Sequence, residues 1–419
     1  MPPIRVYLDS CDYSDLSNPR VLQQSPIKQS VLHFLRECVA SQYIEIVFSA
    51  VTVSELIHLQ DSAKEHAIRR AGLLEALTNG RALVPPHVLF KAEALNLAAA
   101  KEAVLEEHDL YSDDWCWMPF KSTISQEIEG FRELSIKQAK EGLIKHGLPR
   151  AERKRLEKKM FNRGRITDEW AKKMLSDQGE VVLEKNNSEI RLTDLCTKEE
   201  LVALLKGDKD EEAIMRRMFA NMMSPSMLIR KFCEYEPSLR VIVSELFRKQ
   251  GVKFPLAIET LRQKIAEKAC DLETKDYDAI KRQFPLFTKQ AIEQVRRSQL
   301  QDLRDAEVDE AQWSERVLSS PIGHLRGLDM MMLVSEAMIL KYAKDPNQKA
   351  SHSDWADLNN VAYMPYVDVI RLDKRLANLV DELKRSHGYD GATCVKRLED
   401  LPPTIIKLCP DSGRYWSVT

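Results

Sequence analysis

Residues 43–59 read YIEIVFSAVTVSELIHL. The run from Ile44 to Phe48 is mostly β-branched and apolar, which predicts a short buried strand of the parallel kind. Beyond Ser49 the spacing turns helical, with Thr52 or Ser54 as candidate caps and Glu55 in the first turn or so. Working outward, IRVYLD (4–9) repeats the design as a buried strand that ends in Asp9, and VDVIRLD (367–373) repeats it again with Asp373 at its carboxyl end. RALVPP (81–86) predicts a third short strand stopped by its prolines, and TIIKL (404–408) a last one. Helical patterns at 27–40 and 62–78 separate the early strands, and 325–345 forms a strongly apolar helix that returns the chain to a core. Strands alternating with helices predict an α/β fold with a central parallel sheet covered by helices.

From about residue 95 to 315 strand-like runs nearly vanish and charged amphipathic helices take over. The expected organisation is therefore a discontinuous α/β domain, 1–95 and 320–419, interrupted by an α-helical insertion, 96–319. No repeat period and no low-complexity tract marks the insertion.

The composition is that of a globular protein: 44% hydrophobic and 30% charged residues with 14 glycines, which argues against disorder and favours helix. At 419 residues the chain can bury a sizeable core. A formal net charge of −2 means that nucleic-acid binding would need a local basic surface. The eight cysteines include no CxxC pair, which excludes a zinc ribbon or dithiol redox motif and suits a reducing cytoplasm. There is no secretory leader pattern in MPPIRVYLDS and no apolar run of membrane-spanning length, so a cytoplasmic protein without membrane contact is expected. Phosphate-binding GxxxxGK[ST], dinucleotide GxGxxG and hydrolase GxSxG patterns are absent.

In open α/β sheets ligands collect outside the carboxyl ends of the strands, where strand order reverses. Asp9, Glu55 and Asp373 fall at or just past predicted strand ends, and Asp357 lies on the helix leading into the last strand. Without Lys or Arg partners evident in the sequence, these four carboxylates predict a hard-oxygen site for Mg²⁺ or Mn²⁺; Zn²⁺ would favour His and Cys. Such an ion activates water for attack on a phosphodiester. Asp354 and Asp368 are further acids in the same region and further candidate ligands. Taken singly, Asp9 and Glu55 suit a turn or a helix cap equally well, so the prediction rests on the coincidence of four acids.

Three segments, VYLDSCDYSDLS, FSAVTVSELIHL and DLNNVAYMPYVDVIRLDKRLANLV, resemble in order the acidic motifs of PIN-domain nucleases. The resemblance covers about 1–95 and 320–410 and implies an α/β/α sandwich and metal-dependent cleavage of RNA, less often DNA, leaving a 5′-phosphate and a 3′-hydroxyl. It makes Asp9, Glu55, Asp357 and Asp373 the metal-binding and catalytic acids. One position departs from the pattern: Arg371 stands where the family usually has Thr or Ser two residues before the acid.

The segment 144–166 concentrates Arg150, Arg153, Lys154, Arg155, Lys158, Lys159, Arg163 and Arg165, a candidate phosphate-contacting surface or a solvated basic helix. Trp115 and Trp117 are candidates for stacking on bases or for packing within the chain. The function expected is a metal-dependent endoribonuclease in which the insertion orients substrate or binds a protein partner. A toxin-like or phage-defence setting would suit a stand-alone enzyme of this kind. The alternatives are a DNA or structure-specific 5′-nuclease, and an inactive scaffold that binds nucleic acid or protein.

Overall fold

The computed structural model describes residues 2–56, 63–99, 105–111, 149–162, 165–177, 182–185, 188–191, 197–206, 224–234, 315–344, 350–351, 353–388 and 391–416, with positions 137, 141, 214, 259, 288–290, 292–298 and 300–301. The chain divides into two compact units, Met1–Trp115 with Arg240–Thr419, and Cys116–Leu239. The second lies inside the segment read as an insertion.

The first unit opens with β1 (Ile4–Tyr7) and α1 (Ser10–Leu16), α2 (Pro19–Gln24) and α3 (Pro26–Ala40). In α3 a proline opens the helix, and Val31, Leu32, Phe34, Leu35 and Cys38 form the buried stripe that i, i+3, i+4 and i+7 spacing produces. Next come β2 (Ile44–Val47), α4 (Ala50–Leu56), α5 (Lys64–Thr78), α6 (Pro86–Ala98) and α7 (Glu107–Leu110). Helix α5 stops where Asn79 turns left-handed at φ 47°, followed by Gly80 at φ 76°.

The second unit carries α8 (Arg150–Met160), the hairpin β3 (Phe161–Asn162) and β4 (Arg165–Ile166), α9 (Asp168–Asp177), the hairpin β5 (Val182–Lys185) and β6 (Ser188–Arg191), α10 (Lys198–Lys206) and α11 (Pro225–Glu234). Both hairpins are antiparallel, so this region is not purely helical.

The first unit resumes with α12 (Glu315–Leu318), α13 (Arg326–Lys344), α14 (Ser353–Val361), β7 (Val369–Arg371), α15 (Lys374–His387), β8 (Thr393–Val395) and α16 (Leu401–Leu408). Its sheet is four-stranded in the order β2-β1-β7-β8, parallel throughout. Tyr7 faces Val47 on one side and Ile370 on the other, so the ends of β1 and β7 lie side by side. Helices α3 and α16 pack on each other, α3 also against β2 and α16 against β7 and β8. Helix α13, with Met330, Met331, Met332 and Val334 buried, joins α6, α14 and α15 in the main core. The result is a mostly helical protein around a small parallel sheet.

Two expected strands are corrected. TIIKL is helical, because Pro402 and Pro403 preset the first turn of α16, and Leu401 and Ile405, four apart, are both fully buried. RALVPP makes isolated bridges only, Phe48 with Ala82 and Leu83 with Tyr111, before Pro85 and Pro86 launch α6. The fourth strand is β8, three residues long, at the edge of the sheet.

Candidate functional site

The strand order reverses between β1 and β7: the chain moves outward from β1 to β2 on one side and from β7 to β8 on the other. Asp9 follows β1 and Asp373 follows β7, which sets both at this switch point. Each also caps a helix. Asp9 accepts from Cys11 N at 3.4 Å and closes a capping box with Asp12, whose Oδ2 accepts from Asp9 N at 3.1 Å. Asp373 Oδ1 accepts from Leu376 N at 2.5 Å at the start of α15.

Glu55 and Asp357 arrive on α4 and α14, and a buried hydroxyl network holds these helices against β1. The Tyr7 hydroxyl donates to Asn360 Oδ1 at 2.7 Å and lies 2.7 Å from Ser49 Oγ and 2.8 Å from Thr52 Oγ1. Buried polar groups need such partners, and here one tyrosine serves three elements at once.

Burial and neighbouring charge act together on two of these acids. Burial pushes the Glu55 carboxyl up to about 8, with the charges of Asp9 and Asp357 adding to it and Ser10 and Arg70 opposing. Burial likewise pushes Asp357 up to about 7, reinforced by Asp373, Asp9 and Asp354 and opposed by Arg375. Glu55 Oε2 is sealed from solvent with no hydrogen-bond partner. A carboxyl in that position gains from any cation that reaches it.

The remaining acids have other occupations. Asp354, 1% exposed, accepts from the Tyr342 hydroxyl at 2.6 Å, from Ser351 N at 2.8 Å and from the Arg375 guanidinium. Asp368 precedes β7 at the opposite end of the sheet, where its Oδ2 accepts from Arg5 N at 2.7 Å. It is thus separated from the other acids by the length of the strand. Asp12, 1% exposed, is pushed up to about 7 by burial; Arg371, with Nε 3.3 Å from its Oδ1, opposes the rise and Asp9 adds to it.

The acids are therefore not without cationic neighbours, and that expectation is corrected. Arg375 lies 4.0 Å from Asp357 Oδ2 and 3.9 Å from Asp373 Oδ2 besides its contact with Asp354, and Arg371 pairs with Asp12. The donor set is all oxygen and chemically suits Mg²⁺ or Mn²⁺. Among the described residues, however, no three His, Cys, Asp or Glu side chains stand in a ligating arrangement. Sequence reasoning missed Tyr7, Asn360 and Arg375 as parts of this region, and noted Arg371 only as a departure from the motif, not as the partner of Asp12. An apolar strand carrying a tyrosine two residues before its terminal acid was the available signal for Tyr7.

In the second unit, Arg150, Lys154, Arg155, Lys158 and Lys159 on α8 are exposed, while Arg153 is half-buried with its Nε sealed and without a hydrogen-bond partner. Arg165 lies in β4, and Arg163, Trp115 and Trp117 fall outside the described residues. No helix among the described residues is long and apolar enough to cross a membrane. Compared with known proteins, the chain matches no family model, no curated protein and no solved structure.

Proposed function

We propose that the chain is a Mg²⁺- or Mn²⁺-dependent nuclease, RNA favoured over DNA, with a PIN-like arrangement of its first unit. One observation carries the reading: Asp9 and Asp373 follow β1 and β7 at the point where strand order reverses, and the half-buried Glu55 and Asp357, whose proton affinity burial raises, lie near enough for the charges of those acids to add to the rise. Those four residues would hold the cation. When bound, a divalent ion there supplies an activated water and shields the phosphate under attack. The Tyr7 hydroxyl network holds the helices that carry Glu55 and Asp357, and backbone caps hold Asp9 and Asp373. Holding four groups in place before substrate arrives lowers the reorganisation needed in the transition state. The preference for RNA rests on the resemblance of the acidic motifs, and the exposed bases of α8 are the surface offered to phosphates. No protein nucleophile is required. Four free thiols among the described residues, Cys11, Cys38, Cys394 and Cys409, suit the proposed reducing cytoplasm.

The test is cleavage of a mixed pool of single-stranded RNA and DNA oligonucleotides with Mn²⁺, Mg²⁺ or EDTA, comparing wild type with Asp9→Asn and Asp357→Asn. Metal-dependent cutting lost in both variants supports the reading, and the sugar preference follows from the same gel. A second reading, a binding scaffold without catalysis, is favoured by Arg371 and Arg375, which already place positive charge among the acids. Nucleic-acid binding by a wild type that neither cuts nor takes up Mn²⁺ would select it.

A further inference from the structure

Arg375 stands in the first turn of α15, and its guanidinium is tied from below. It donates to Asp354 Oδ1 and to the Tyr342 hydroxyl, and it lies over the Tyr342 ring at 5.7 Å. Asp354 is fixed in turn by Tyr342 and Ser351, so it acts as an anchor that sets the direction of the arginine. Held this way, the guanidinium reaches toward Asp357 Oδ2 at 4.0 Å and Asp373 Oδ2 at 3.9 Å. Both distances lie beyond hydrogen bonding. Arg375 therefore attracts the two acids by charge while leaving those oxygens available to a ligand. In the same cluster, Glu55 Oε2 is sealed and has no hydrogen-bond partner. That half of the cluster still favours a cation, and the half facing Arg375 is already partly neutralised.

We propose that Arg375 sets the cation affinity of this crevice: it is a resident positive charge that competes with a divalent ion for Asp357 and Asp373. Its side chain is 37% exposed, which leaves room for it to swing outward when an ion enters. The same competition accounts for acids that converge without forming a ligating set. This inference rests on the metal reading above and adds the residue that tunes it.

Mn²⁺ binding to the full chain, by titration calorimetry and electron paramagnetic resonance at pH 8, tests it without reference to cleavage. Arg375→Met alone would leave Asp354 buried and unpaired, so the informative variant is Asp354→Asn with Arg375→Met, checked for folding by near-ultraviolet circular dichroism. Removing a charge 4 Å from two ligands is expected to tighten Mn²⁺ binding about tenfold or more. Asp354→Asn alone frees Arg375 to move onto Asp357 and Asp373 and is expected to weaken binding. Arg375→Lys keeps the charge and is expected to stay near wild type. A merely structural role would move the first two variants in the same direction. Wild type that binds one Mn²⁺, with the double variant binding equally or more weakly, would overturn the inference and leave the metal reading standing. No binding by wild type but binding by the double variant would support it. No binding by either folded protein would overturn both.

Discussion

At the amino-terminal end of the sheet, Glu45 meets Arg81 at 2.8 Å and Arg5 at 3.7 Å, and the Tyr111 hydroxyl donates to it at 2.7 Å. Both arginines also lie over the Tyr111 ring, Arg81 at 4.9 Å and Arg5 at 5.5 Å, and Asp368 accepts from the Arg5 backbone. At the carboxyl-terminal end, burial first and the neighbouring acids second raise the proton affinity of Glu55 and Asp357, and Arg70 and Arg375 answer only part of the rise. The same four strands thus end in a neutralised cluster on one side and an under-neutralised one on the other. The first behaves as structure, because Glu45 is matched by two arginines and a tyrosine hydroxyl and Asp368 by a backbone amide. The second is the arrangement that the proposed metal site would need, and one that costs stability if it is purely structural.

The comparison breaks most decisively if acids at the two ends prove equivalent in catalysis. Asp9→Asn or Asp357→Asn is expected to lower metal-dependent RNA cleavage about 10³-fold, since ion-assisted charge stabilisation is worth several kcal/mol. Glu45→Gln should leave the rate unchanged in the same gel assay. Next in size, Tyr7→Phe leaves Ser49, Thr52 and Asn360 short of a buried partner and should cost about 1–3 kcal/mol by urea denaturation. The cleavage rate should fall with it, because α4 and α14 lose their tie to β1.

A pH series sharpens the contrast further. The Glu55 carboxyl is raised from 4.5 to about 8, so folding takes up a proton across that interval. The stability this brings is complete below pH 4.5 and is lost as pH rises through about 8. Asp357, raised from 3.8 to about 7, acts in the same direction. Metal-free protein should therefore melt at progressively lower temperature from pH 5 to pH 9 through these groups. Asp9→Asn should flatten the trend by removing a like charge, whereas Glu45→Gln should not. A trend equally steep in both variants would place its origin elsewhere. The smallest effect is expected from Glu45→Gln on stability, about 1 kcal/mol or less, because its arginine partners are partly exposed.

The strands beside the acids were legible because each is a local apolar run, ending in an acid for β1 and β7 and leading into the Glu55 helix for β2, and all three lie where those runs predict. Their neutralisation was not legible. Arg375 meets Asp354 across 21 residues, and Arg371 approaches Asp12 from the far end of the chain, so no local spacing encodes either pair. Strand β8 escaped notice because TCV is too short to show a period, and α16 misled because its β-branched residues follow prolines that favour a helix start. Asp368 was drawn into the ligand set by nearness in sequence to Asp373. A strand carries its two ends apart, and five residues suffice to move an acid to the other edge of the sheet.

The connectivity of the sheet also orders events during synthesis. β1 pairs with β7, and the Arg5 amide meets Asp368 across a sequence separation of 363 residues. On a ribosome adding about 5–20 residues per second, the first strand therefore waits on the order of tens of seconds for its central neighbour. For most of that interval, from residue 55 to residue 357, Asp9 and Glu55 have been synthesised while Asp357 and Asp373 have not. The nascent chain consequently exposes an unpaired, apolar strand edge without a complete crevice. Chaperone demand should peak before residue 369 emerges, and the acid cluster cannot assemble until β7 has paired with β1.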